Sequence, residues 1–418
     1  MVWSPVSTTR KFLLYQLMTN LINNNELLGY ARPKDLPEKV QHIIGQIIKS
    51  ACEKSYKQSL GIRLAALFDL FVSCQYYNGL ANKGWTYCPK APQLLLYAYT
   101  NICPRCLGHH DYVFTKANKP ESGQIGMATT EILCEMLVSY FRINGRKIEI
   151  HKASEPIDVI IYEPDTQLMI ISEVKAAPLF TIPLSLPCEK ITEEIDGQLV
   201  NVEHNLCDNP FLHRSQPLLF FPSTNLNKEK QFQLSVDWNN PYPFFFAVKE
   251  LCLSNIDFLK FYFNFWEEAY ESYRDKNRSN PIFWLTNACG LPTPRPLNWP
   301  KRRSGGYETV SDAKTSVGMD RTDDIKKGIY QVLKLGAEFK PKYLNIKTAL
   351  ISNIHAVRHH DEYLKCIKDI IWTIDKSRKI RFWSEINPET PLYNLFDGII
   401  SFTESDIRDE EITRLFSF

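Results

Sequence analysis

Two carboxylates and a lysine stand close together in the chain: Asp158, Glu173 and Lys175, inside the run Pro156-Ile-Asp-Val-Ile-Ile-Tyr-Glu-Pro-Asp-Thr-Gln-Leu-Met-Ile-Ile-Ser-Glu-Val-Lys175. The apolar stretches at 157–162 and 168–174 read as two strands. Between them Glu163-Pro-Asp-Thr166 is a turn sequence with Pro at its second position. Period-two geometry puts Glu173 and Lys175 on one face. The hairpin brings Asp158 within about two residues of lying opposite Glu173. Carboxylates in an otherwise apolar sheet are costly unless something pairs them. Two carboxylates suit a hard divalent cation such as Mg²⁺, which acidifies water and offsets phosphate charge. A lysine beside them can orient or deprotonate that water.

Elements of the right kind surround this run. A helix is expected over 126–141, with Met127, Ile132, Leu133, Met136, Leu137 and Tyr140 on its apolar side and Asn144-Gly145 ending it. Strands are expected at 147–151, 157–162 and 168–174, then, after a long interval, a helix at 322–335 and strands at 348–354 and 395–402. The order helix, three strands, helix, strand, with Pro-x-Asp on one strand and Glu-x-Lys ending the next, resembles the PD-(D/E)XK nuclease superfamily. Here Ile157 separates the Pro from the Asp. The resemblance implies an α/β (α+β) core, a mixed central sheet flanked by helices. It also implies metal-holding roles for Asp158 and Glu173, water handling by Lys175, and an assisting acid on the first helix, Glu131, with Glu135 one turn on as fallback. Asp323 and Glu338-Phe-Lys340 repeat the spacing, but in a stretch of helical periodicity.

Around the core, residues 1–87 read as a helical N-terminal region and 88–122 as a loop-rich segment. Residues 123–178 and 316–418 read as the catalytic core, and 179–315 as a large insertion with strand-like runs at 218–221 and 281–285 and a helical stretch over 249–275. A further helix is expected at 361–374. The insertion ends in a basic run: Arg295, Lys301, Arg302 and Arg303, continued by Lys314 and Arg321. Such cations supply phosphate contacts, and arginine in a major groove can pair with guanine. Cys88, Cys103 and Cys106, spaced C-x14-C-x2-C, form a candidate zinc site with His109 or His110 as fourth ligand; position 91, where a second paired cysteine would fall, is Ala. His355, His359 and His360 carry a structural or DNA-facing reading, because no acid sits between them in the metalloprotease pattern.

The 418 residues allow two or three domains, and 23% charged residues exclude wholesale disorder. A net charge of +2 says nothing about nucleic acid, so only local clusters can. No apolar run approaches the length of a membrane span, and no signal peptide is expected. Eleven cysteines, an odd and dispersed set, point to reduced thiols and a cytoplasmic setting. No phosphate-cradling glycine loop is present, so no ATP dependence is expected. Core, size and insertion together resemble a type II restriction endonuclease: a homodimer hydrolysing double-stranded DNA at a specific sequence and leaving 5′-phosphates. The alternatives are a shape-selective repair or junction nuclease of the same core, and a non-catalytic zinc-containing DNA-binding protein.

Overall fold

The computed structural model describes residues 26–33, 35–78, 85–100, 102–113, 122–187, 192–195, 198–201, 216–286, 317–320, 322–343, 345–357, 359–374, 383–385, 390–416 and 418. It is a mixed α/β structure in two compact units. One comprises Met1–Asp35, Leu133–Ala176 and Met319–Phe418; the other comprises Leu36–Ile132 and Ala177–Gly318.

The first unit is built on a six-stranded mixed sheet. Its elements are helix α1 (Ser122–Ile143, whose first half belongs to the other unit), strands β1 (Glu149–Lys152), β2 (Val159–Glu163) and β3 (Leu168–Val174), helix α2 (Thr322–Phe339), strands β4 (Ile346–Ser352), β5 (Gly398–Ser401) and β6 (Asp406–Ile407), and helix α3 (Glu410–Leu415). The strand order is β6-β5-β4-β3-β2-β1. β1, β2 and β3 form an antiparallel meander, β4 and β5 run parallel to β3, and β6 returns antiparallel. A parallel partner for β3 requires a crossover. The chain makes that crossover only after the whole interval from Ala177 to Gly318, and α2 then leads into β4.

β3 is buried along its entire length, which is why it reads as a continuous apolar run rather than an alternating one. Met169 and Ile171 pack with Ile157, Ile160, Leu335, Phe339 and Ile346. Earlier in α2, Ile325 and Val332 pack with Leu350, Leu395 and Ile399. Burying each such side chain contributes ~1.5–3 kcal/mol, so the inward stripe of α2 holds it on β3 and β4. The contact is close at Gly328: a Cβ there would stand 3.0 Å from Leu350 Cδ1 and 3.8 Å from Lys175 Cγ.

The second unit pairs helices with a five-stranded antiparallel sheet. Its strands, in spatial order, are Thr86–Cys88, Ala91–Tyr97, Leu184–Pro187, Leu218–Phe221 and Lys230–Gln233. Helices Glu38–Glu53, Leu60–Asn78, Pro243–Ser254 and Ile256–Arg274 complete it. Asp69, fully buried on the second of these helices, accepts hydrogen bonds from the Trp266 indole at 2.6 Å and from the backbone N–H groups of Leu179 and Phe180 at 3.2 and 2.9 Å. Burial nonetheless pushes its carboxyl up to about 8. Thus residues from Leu36 through the loop-rich segment to Ile132, and the insertion, read separately in sequence, belong to one unit, whereas Met1–Asp35 falls in the other.

Three local expectations are corrected. The segment after Gly84 is not loop throughout: Leu94, Leu95, Leu96 and Tyr97 are buried in the second sheet, strand content hidden among the prolines. Residues 281–285 form a 3-10 turn rather than a strand, with Pro281 at its first position and the Asn280 side chain accepting from Ile282 N–H. Only His360–Leu364 of the expected helix at 361–374 is helical; Ile371–Trp372 turns into a two-residue strand against Tyr393–Asn394. The helical stretch at 249–275 is two helices that meet at Asn255, whose side chain caps the second through Phe258 N–H.

Candidate active site at the end of the central strand

Val159 pairs with Ser172, and the next step of that register sets Asp158 opposite Glu173. The Asp158 N–H still donates to the Ser172 carbonyl at 3.2 Å, so Asp158 is held by the ladder although it precedes β2. Its carboxylate accepts from the Val174 N–H at 3.0 Å. Lys175 continues the other ladder, its N–H donating to the Ile351 carbonyl of β4 at 2.9 Å. Lys175 Nζ donates to Glu173 Oε1, and to the Val174 carbonyl at 3.3 Å. The Asp158 carboxylate also acts electrostatically on Glu173. Three charged groups therefore meet at the carboxyl end of the central strand.

Glu173 is 6% exposed. Burial first, and the neighbouring Asp158 carboxylate second, push its carboxyl up to about 7, against the pull of Lys175. A buried Glu173 and a half-buried Asp158 facing one lysine lack positive charge, and this donor set fits a hard divalent cation.

Of the two helix acids, Glu131 is half-buried on the portion of α1 that belongs to the second unit. Glu135 is buried and accepts from Ser139 Oγ at 3.4 Å. The repeated spacing lies on α2, as its periodicity indicates. Asp323 and Glu338 are exposed, whereas Lys340 is buried and paired with Asp397 at 2.7 Å. Arg295, Lys301, Arg302, Arg303, Lys314 and Arg321 lie outside the described residues. Sequence reasoning missed Gly328, where an added Cβ would press on the Leu350 side chain at 3.0 Å and stand in ordinary contact, 3.8 Å, with the Lys175 stem. A glycine inside a helical pattern is the one signal that could have found it.

In the second unit the sulfurs of Cys88, Cys103 and Cys106 converge within 4.8 Å of one another, with Cys88 Sγ 3.7 Å from each of the other two. Tetrahedral zinc with Zn–S bonds of about 2.3 Å separates its sulfurs by roughly 3.8 Å. The Cys103 contacts lower the Cys88 and Cys106 thiols below their ordinary range, and the same contacts, with burial, raise Cys103. A Pro104–Gly108 helical turn and the 88–91 hairpin bring the three together. His109 and His110 are exposed and stand outside this three-thiol group.

Among the described residues no helix is long and apolar enough to cross a membrane. Comparison with family models, with curated proteins and with solved structures returns no match.

Proposed function

We propose that the protein is a Mg²⁺-dependent endonuclease with a PD-(D/E)XK-type core, hydrolysing double-stranded DNA at a specific sequence as a homodimer. The observation that carries this reading is the register: Asp158 opposite Glu173, with Lys175 bonded to Glu173, at the carboxyl end of β3. The order α1, β1–β3, α2, β4 supports it. Asp158 and Glu173 would hold the cation. Bound there, Mg²⁺ supplies charge neutralisation for the phosphate and acidifies water. Lys175, anchored between the Glu173 carboxylate and the Val174 carbonyl, would orient the attacking water. Water oxygen bonds to phosphorus, the bond to the 3′-oxygen breaks, and that oxygen leaves with a proton, so the 5′-phosphate remains on the other fragment.

The test is incubation of the protein with long unmethylated plasmid and phage DNA in Mg²⁺, with an EDTA control and the Asp158→Ala protein alongside. Discrete fragments that disappear in both controls are expected. A smear would replace sequence specificity with shape-selective or nonspecific cutting. DNA binding without cutting on every substrate would overturn catalysis in favour of a binding protein.

A further inference from the structure

A second group of ligand-type side chains lies in the first unit, beyond the carboxyl end of β4. His355, His360 and Asp406 present one nitrogen or oxygen each, all within 4.8 Å of one another. His355 follows β4 and is only 2% exposed. Neither of its ring nitrogens makes a hydrogen bond, an expensive state for a buried imidazole. Its Nε2 points to Asp406 Oδ2 at 3.7 Å, and His360 Nε2 reaches the same oxygen at 3.2 Å. The other carboxylate oxygen, Oδ1, is occupied by Lys368 Nζ at 2.9 Å, so Oδ2 is left to face the two rings. His360 Nδ1 in turn meets the Asp361 carboxylate at 3.3 Å. Metal-bound histidines are commonly oriented in this way, with the far nitrogen on a carboxylate.

We infer that His355, His360 and Asp406 form a binding site for a first-row transition-metal dication of the Zn²⁺ class, separate from the Asp158–Glu173 pair. Nitrogen and oxygen ligands about 2.0–2.1 Å from a tetrahedral ion stand roughly 3.3 Å apart, close to the two distances observed. Imidazole donors select such metals over Mg²⁺, which prefers carboxylate and water. The ion would give the buried His355 Nε2 the partner it lacks. It would also tie the segment after β4 to β6, so that the chain between them is closed by a ligand bridge. The Glu404 carboxylate, which acts electrostatically on His355, adds negative charge nearby. The inference does not depend on the nuclease reading.

The test uses full-length protein stripped of metal, with Cys103→Ser introduced so that the three-thiol group does not contribute. Co²⁺ is the probe. One equivalent is expected to bind with visible d–d absorption and no thiolate charge-transfer band in the near ultraviolet. Zn²⁺ should displace it and Mg²⁺ should not, and His360→Ala and Asp406→Asn should each abolish it. Should the Cys103→Ser chain fail to fold, zinc content is compared between wild type and His360→Ala, and a loss of one equivalent is expected. A Co²⁺ spectrum that is absent, or zinc content unchanged by both substitutions, would overturn the site. Each readout is metal binding, so it stands whether or not the protein cuts DNA.

Discussion

Glu173 holds its proton more tightly in the folded chain than an ordinary glutamate with a value of 4.5 does, because burial and Asp158 push it up to about 7. The stability that this tighter protonation provides is complete below 4.5 and is lost as pH rises through 7. Above that, the fold carries an ionised, desolvated carboxylate beside a second one. Glu173→Gln is therefore expected to raise the unfolding free energy at pH 8, by up to about 3 kcal/mol, and with it the melting temperature, and to lose that advantage below pH 4.5. Thermal melts of the two proteins across that range check it. Mg²⁺ should stabilise the wild type at pH 8 and leave Glu173→Gln little changed. Equal melts at every pH would mean that Glu173 is solvated. At this scale the grouping of Asp158, Glu173 and Lys175 was legible, because one hairpin contains all three and period-two geometry fixes their face. The grouping of His355 and His360 with Asp406 was not. It depends on β6 pairing with β5 and on a short helical segment after His359, neither of which leaves a local signal in the residues concerned.

Helix α2 lies close to Leu350 and the Lys175 stem at Gly328. A methyl group at position 328 meets the end of the Leu350 side chain, which can rotate, so Gly328→Ala should be close to neutral. Gly328→Val adds bulk between the helix, Leu350 and the Lys175 stem. It is expected to cost about 1–3 kcal/mol and to reduce cutting by more than it reduces DNA binding. Chemical denaturation with binding and cleavage assays on one preparation separates these effects. Elements with strong local signals were legible in sequence: the Leu168–Val174 strand, its hairpin partner and α2 were all expected close to where they lie. The strands at 86–97 were hidden because turn-forming prolines and cysteines dominate a composition-based reading, whereas burial in a sheet is a tertiary matter. The expected 281–285 strand failed for the converse reason. An apolar run that short does not distinguish a strand from a buried turn.

The whole molecule consists of two units of interleaved chain. The basic run from Arg295 to Arg321 belongs almost wholly to the stretch between Ala177 and the return to the first unit at Met319. Its charge predicts that Arg302→Ala with Arg303→Ala weakens DNA binding and flattens the salt dependence by a slope of about 2. Titrations at several salt concentrations measure both, and an unchanged slope would move phosphate contact elsewhere. The interleaving also bears on how the chain is made. Both segments of the second unit leave the ribosome before Ile346 does, so that unit can fold while β3 still lacks its parallel neighbour. Until β4 is synthesised, the strand bearing Glu173 has an open edge, and Lys175 has no Ile351 carbonyl to bind. The nascent chain thus completes its carboxylate–lysine cluster only after the segment bearing the basic run has already emerged.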